Sequence, residues 1–223
     1  LGDSLPLNTP TLYFSAFNAS LGWLEGAPAT LEEQHHIPLF NTRPVELGFS
    51  DAQLAVLAAD HTYQEAFAAA FGDNAINTDN LVKALATHVR SLQPPSTAFD
   101  RYMFEDDASG MSADAKAGMD LFLSARLGCS LCHASLALSG PVSHSVQRAE
   151  PVFHVMGVGG SDAAFRAPTL RYVQHTAPYM HDGSMTSLQQ VLAHYEARPS
   201  ARVPAFSLTD VERAQLLAFL RTL

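Results

Sequence analysis

Apolar positions along this chain recur at the three-to-four-residue spacing of amphipathic helices, and polar capping signals punctuate them. Tyr63, Phe67 and Phe71 recur every four residues, with Gly72 as a stop. Leu81, Leu85, Val89 and Leu92 form a second stripe, closed by Pro94-Pro95. Thr30-Leu31-Glu32-Glu33, Ser50-Asp51-Ala52-Gln53 and Thr62-Tyr63-Gln64-Glu65 each match the capping box, a hydroxyl followed three residues later by Glu or Gln. In the second half, Ala115, Met119 and Phe122 share one face of a helix that opens near Ser112. Thr209-Asp210-Val211-Glu212 is a fourth box, heading a terminal helix that carries Leu216, Leu217 and Leu220. Residues 93–111 hold Pro, Ser, Asp and Gly and read as the linker between two halves; residues 136–165 read as loop. No alternating pattern is strong enough to predict a real sheet, and no fixed period repeats. The predicted fold class is all-α.

At 223 residues, 47% of them hydrophobic and 16% charged, the chain has an ordinary globular composition and room for one large or two small domains. A net charge of −9 argues against nucleic acid or an anionic membrane surface as partner. No apolar run approaches the roughly 20 residues needed to span a bilayer.

The candidate chemistry lies in Cys129-Ser130-Leu131-Cys132-His133, which holds both cysteines of the chain. Two thiols three residues apart on a helical turn face the same way, so both can form thioethers to one porphyrin edge. His133 then offers its imidazole to the iron. A thioredoxin-like pair would sit in a βαβ pattern, which is missing, and a structural zinc site would need more ligands nearby. Covalent c-type haem implies export to the periplasm or an equivalent compartment, with a leader removed. The helix before the haem motif and the terminal helix after it resemble the plan of a minimal class I cytochrome c.

Several stretches resemble the bacterial di-haem cytochrome c peroxidase superfamily. Asn8-Thr9-Pro10-Thr11-Leu12, Ala29-Thr30-Leu31-Glu32-Glu33-Gln34 and Pro44-Val45-Glu46-Leu47-Gly48 are similar to its first domain. Phe165-Arg166-Ala167-Pro168-Thr169-Leu170-Arg171 and Thr176-Ala177-Pro178-Tyr179-Met180-His181-Asp182-Gly183-Ser184 are similar to its second. Pro44-Val45-Glu46-Leu47-Gly48, with Tyr195, leans toward the MauG and MbnH-type branch. The resemblance implies two cytochrome c-like haem domains joined by long loops. The remainder of the N-terminal, peroxidatic domain would occupy residues 1–106 and the C-terminal domain residues 107–223. The family carries two haem c groups and two attachment motifs. Residues 1–223 hold one motif, so the other is expected upstream of Asn8 and the first domain is incomplete at its N-terminus.

The resemblance also assigns roles. His133 would be the proximal ligand of the haem on Cys129 and Cys132, and Tyr195 the sixth ligand, at a position where classical peroxidases have Met. A hard phenolate favours ferric and higher states, whereas a thioether favours ferrous iron; Met180 is the rival ligand. Glu46 would be the acid/base carboxylate over the peroxide face of the first haem, with Gln34 and Pro38 as pocket neighbours. Trp23, the only Trp, would lie between the haems; a plain core Trp is the alternative. A second Trp used by MauG to reach its protein substrate is replaced by Leu127. Thr176 and Pro178 would bind Ca²⁺ through their backbone carbonyls, with a side-chain Asn ligand expected upstream of the chain. His181 reads as a structural His, and His35-His36 as surface residues. The function implied is hydrogen peroxide-driven formation of high-valent iron that oxidises a partner protein, at Trp in MauG- and MbnH-type enzymes. The alternatives are a cytochrome c peroxidase fed by a small redox protein and a non-enzymatic electron-transfer cytochrome.

Overall fold

The structure, a computed structural model, describes residues 5–73, 75–92, 94–141, 150–160, 162–199 and 203–223. Among them are eight α-helices and one two-stranded sheet, so the chain is helix-rich. The chain forms two compact units, one built mainly from Pro28–Leu92 and the other from Pro6–Ala27 with Gln93–Leu223.

The first unit contains α1 (Leu31–Phe40), α2 (Asp51–Ala59), α3 (His61–Phe71) and α4 (Thr78–Ser91). Capping boxes start α1 at Thr30 and α2 at Ser50. The Thr62 box does not form. Asp60 ends α2 and also caps α3, its carboxylate accepting from the Thr62 amide at 2.8 Å, so Thr62 lies inside the helix. Helix α4 packs on α1 through Val82, Ala86 and Val89 on its buried face. Helix α2 buries none of its side chains.

The second unit contains α5 (Ala98–Phe104), α6 (Ala113–Leu123), α7 (Leu188–Ala197) and α8 (Asp210–Leu220). Helix α5 occupies the segment read as linker. Its capping box is Thr97 with Asp100, a shorter acid than the Glu or Gln of the usual signature. The segment read as loop also yields a sheet: β1 (Phe153–Val155) pairs antiparallel with β2 (Ala164–Arg166), Phe153 facing Arg166 and Val155 facing Ala164. Part of that segment, residues 142–149 and 161, lies outside the described residues.

The core of this unit forms where α6 crosses α8. Phe122 meets Phe219 at 5.3 Å between ring centroids, and Phe99 meets Phe219 at 6.1 Å. Gly118 makes the crossing possible. A Cβ there would sit 1.9 Å from the Gln215 carbonyl oxygen of α8. The close crossing fixes the end of α6, and Cys129 lies six residues beyond its last residue, Leu123.

Candidate functional site

Helix α6 ends at Leu123 with Ser124 as its C-cap, and the chain turns at Gly128, whose φ of +67° is left-handed. The Cys129 carbonyl then accepts from the amides of Cys132 at 3.3 Å and His133 at 3.0 Å. These two bonds close one helical turn, which puts Cys129, Cys132 and His133 on one wall of a cleft. The cysteines are not joined in a disulfide. Burial pushes the Cys129 thiol up to about 11. His133 Nδ1 donates to the Leu138 carbonyl at 3.0 Å, since a carbonyl can only accept, and this leaves Nε2 as the lone-pair donor. Burial pulls the His133 pKa down to about 4, so the imidazole is neutral, the form that binds a metal.

The cleft lies wholly within the second unit and encloses about 1550 Å³ of empty space, its open mouth included. Its walls are mostly apolar and come from α6, α7, α8, the Cys129 turn and the 154–181 segment. The residues fit a porphyrin: a paired-thiol wall, one neutral imidazole aimed by a carbonyl, and an apolar enclosure.

Tyr195, on the last turns of α7, lines the same cleft. Burial raises its pKa, and the nearby Cys132 and Cys129 add to the shift. An iron ligand at this position would therefore have to overcome a strong preference for the neutral phenol. Met180 also lines the cleft, held in a left-handed conformation at φ 70° within a turn closed by the Tyr179 amide donating to the Met185 carbonyl at 2.6 Å. Both candidate sixth ligands thus reach one cleft.

Trp23 is 8% exposed and lines the cleft as well, its Nε1 donating to the Asn8 carbonyl at 2.7 Å. Asn8 ties this segment to the Thr176–Pro178 region. Its amide nitrogen bonds the His181 carbonyl at 2.7 Å, and its Nδ2 bonds the Pro178 carbonyl at 2.7 Å. The Pro178 carbonyl, which the resemblance implies would face calcium, therefore has the Asn8 side chain beside it. Rotated about its amide, that side chain would present Oδ1, a hard donor suited to Ca²⁺. Among the described residues no group of three His, Cys, Asp or Glu is arranged to hold a metal, so a cation here would rest on carbonyl and amide oxygens.

In the first unit, Gln34 and Pro38 lie one turn apart on α1 and share a face. Pro38 cannot donate an amide inside the helix. The chain then folds back, the Leu47 amide donating to the Pro38 carbonyl at 2.9 Å and the Phe49 amide to the Leu39 carbonyl at 2.8 Å. These bonds return the segment after Glu46 to the C-terminal half of α1, next to Pro38 in the backbone. Gln34 Oε1 is buried with no hydrogen-bond donor among the described residues.

His181 is buried, stacked on Phe165 at 3.7 Å, and also lines the cleft. His36 is exposed, whereas His35 is half-buried and its Nδ1 contacts the Leu31 carbonyl at 2.5 Å. Leu127 is fully buried and lines the cleft. Two residues of this site, Asn8 and Arg166, stand in the family-like motifs without a signal that marks their role.

Residues 1–108 match the family model for di-haem cytochrome c peroxidase. The chain is 34% identical to methylamine utilization protein MauG of Methylorubrum extorquens, across 98% of this chain and 65% of that protein. It is 31% identical to the MauG of Methylophilus methylotrophus, across 100% of this chain and 72% of that protein. A solved MauG-like protein associated with microbial copper homeostasis superposes with a TM-score of 0.88 at 30% identity, covering 99% of this chain and 76% of that one. The chain thus spans roughly two thirds to three quarters of the length of these relatives. With its cysteine turn, its apolar cleft and these likenesses, the chain belongs to the di-haem cytochrome c peroxidase family.

Proposed function

We propose that the protein is a periplasmic c-type di-haem oxidoreductase that reacts with hydrogen peroxide and oxidises a partner protein at Trp side chains. The observation that carries this reading is one cleft lined both by the Cys129–Cys132–His133 turn and by Tyr195. Periplasmic location follows from covalent haem attachment; no helix among the described residues is long and apolar enough to cross a membrane. We also propose the division of labour along the chain, with the peroxidatic haem domain drawing on residues 1–106 and the second haem domain on 107–223.

Haem, when bound, supplies the peroxide-activating and electron-storing chemistry; the chain supplies protons, ligands and enclosure. Cys129 and Cys132 would hold the second haem by thioethers, and His133 Nε2, left free by the Leu138 bond, would bind its iron. Tyr195 offers a hard oxygen donor that suits storage of oxidising equivalents. Glu46 accepts the proton that peroxide must lose and returns it to the departing oxygen, a role one poised carboxylate can fill twice. Gln34 orients that oxygen by its amide, and Pro38 packs the pocket. Trp23 is an oxidisable ring lining the cleft that could take up charge from it. Thr176 and Pro178, joined by Asn8, give the oxygen donors for a structural Ca²⁺.

Tyr195→Phe in the haem-loaded protein tests the reading. The visible and EPR spectra of the second haem should change, and oxidation of partner Trp on adding peroxide should fall sharply. Unchanged spectra would remove Tyr195 as ligand and the protein-oxidising reading with it. Met180 in the same cleft favours one second reading, a His–Met haem that passes electrons from a small redox protein, either to peroxide or without any peroxide reaction.

A further inference from the structure

Arg166 is 6% exposed, sits at the end of β2 and lines the haem cleft. Its partners are neutral. Its amide donates to the Trp23 carbonyl at 2.8 Å, Nε to the Gly22 carbonyl at 3.1 Å, and Nη1 to the Ala167 carbonyl at 3.2 Å. Nη2 has no partner among the described residues, and no carboxylate among them pairs with the guanidinium. Burial alone pulls its pKa down to about 10, which still leaves it charged at neutral pH.

The contrast lies five residues along the chain. Arg171 is also buried, but it pairs with Asp100 and lies 5.2 Å from the rings of both Phe14 and Phe99. A buried cation is ordinarily paired. Among the described residues, no Asp, Glu or Lys lines the cleft, and Arg166 is its one permanently charged side chain. A ligand that fills this cleft must therefore bring its own anionic group to Arg166.

Resting on the haem assignment above, we infer that Arg166 receives a propionate carboxylate of the haem on Cys129 and Cys132. Its free Nη2 edge meets the carboxylate while Nε and the backbone stay fixed to Gly22 and Trp23. The same residue thus neutralises the porphyrin side chain and locks the macrocycle to the Trp23 segment. Its charge also weights the iron toward the ferrous state, because a fixed cation favours the less positive centre.

The test uses the full haem-loaded protein, with Arg166→Gln and Arg166→Lys, and reads the ferrous-to-ferric ratio of this haem by spectropotentiometry. Arg166→Gln should lower that ratio at fixed potential by about tenfold, which is about 59 mV for one electron. Arg166→Lys, which keeps the charge but loses the fork that binds Gly22, should stay within about threefold of wild type. A folded, haem-loaded Gln variant with an unchanged ratio overturns the inference. So does a Lys variant shifted as far as Gln, since that marks a role in packing only. Should the Gln variant fail to assemble, a crystal structure of the wild-type holoprotein decides. Nη2 within hydrogen-bonding distance of a propionate supports the pairing, and a propionate held by other groups ends it. Absence of haem from the Cys129–Cys132 peptide would instead be a failure of the haem assignment, read separately by mass.

Discussion

The two units of the chain use the same kinds of contact at different depths. In the first, α1 and α4 are joined by the Glu32–Arg90 pair, two 2.7 Å hydrogen bonds between side chains about a third to a half exposed. In the second, Arg171 and Asp100 form a pair with 2% and 19% of their side chains exposed, against two aromatic rings. The first unit ties the segment after Glu46 to Pro38 and Leu39 of α1 with backbone bonds. The second encloses its cleft in a continuous core from Phe99 to Leu223. The difference teaches where each unit can tolerate change. Chemistry at the α1 end should be lost without loss of fold, whereas the α6–α8 crossing and the Arg171 pair should be lost only together with the fold.

Glu46→Gln should break the comparison most clearly. Peroxide consumption by the haem-loaded protein should fall by about 10³-fold, equivalent to about 4 kcal/mol in the barrier, with the melting curve unmoved. A stopped-flow trace at wild-type rate would remove Glu46 from the proton path.

Asp100→Asn should act in the opposite sense, costing about 3 kcal/mol of stability by leaving Arg171 buried without its counter-charge. Among the described residues Arg171 Nε and Nη1 have no partner, which leaves it little to fall back on. The same pair sets a pH dependence. Burial raises the Asp100 pKa, but bonds from Arg171 and Thr97 outweigh it and hold the carboxyl below its ordinary range. Its folded value lies below the unfolded one, so its contribution is complete above about pH 4 and fades as pH falls through the folded value. Urea unfolding at several pH values should show this loss in the wild type, and Asp100→Asn should lack that component.

Gly118→Ala should cost about 2 kcal/mol, the overpacking of α8 against a Cβ set off partly by better helix propensity. Chemical denaturation measures it, and an unaltered midpoint would mean the crossing is looser than 1.9 Å allows. Glu32→Gln is the smallest change. An exposed pair should contribute under about 1 kcal/mol, and less in high salt. A larger loss would show that the first unit depends on its surface as the second does on its interior.

The helices that the sequence reveals are those with strong local signals. The Thr30, Ser50 and Thr209 boxes each head a helix because a hydroxyl and an acid or amide three residues apart satisfy orphan amides without help from elsewhere. Thr62 misleads because Asp60, two residues earlier, takes the capping role. Helix α5 hides among Pro, Ser and Gly and has seven residues, too few to show a period. Strands of three residues likewise cannot display alternation. The Cys129–His133 turn is legible because the thioether chemistry proposed for it dictates its spacing. Arg166 is not, since nothing local distinguishes it from Arg171; only the fold leaves one cation paired and the other facing the cleft. Asn8 is similar, its role depending on a bond to a residue 170 positions away.

The central claim is that Cys129 and Cys132 carry a haem covalently, and a peptide mass spectrum of the native protein tests it most directly. The account predicts that the proteolytic peptide spanning Cys129–His133 bears one haem, resists alkylation at both sulfurs and keeps its Soret absorption after denaturation. A haem-free peptide with two alkylatable thiols would contradict it.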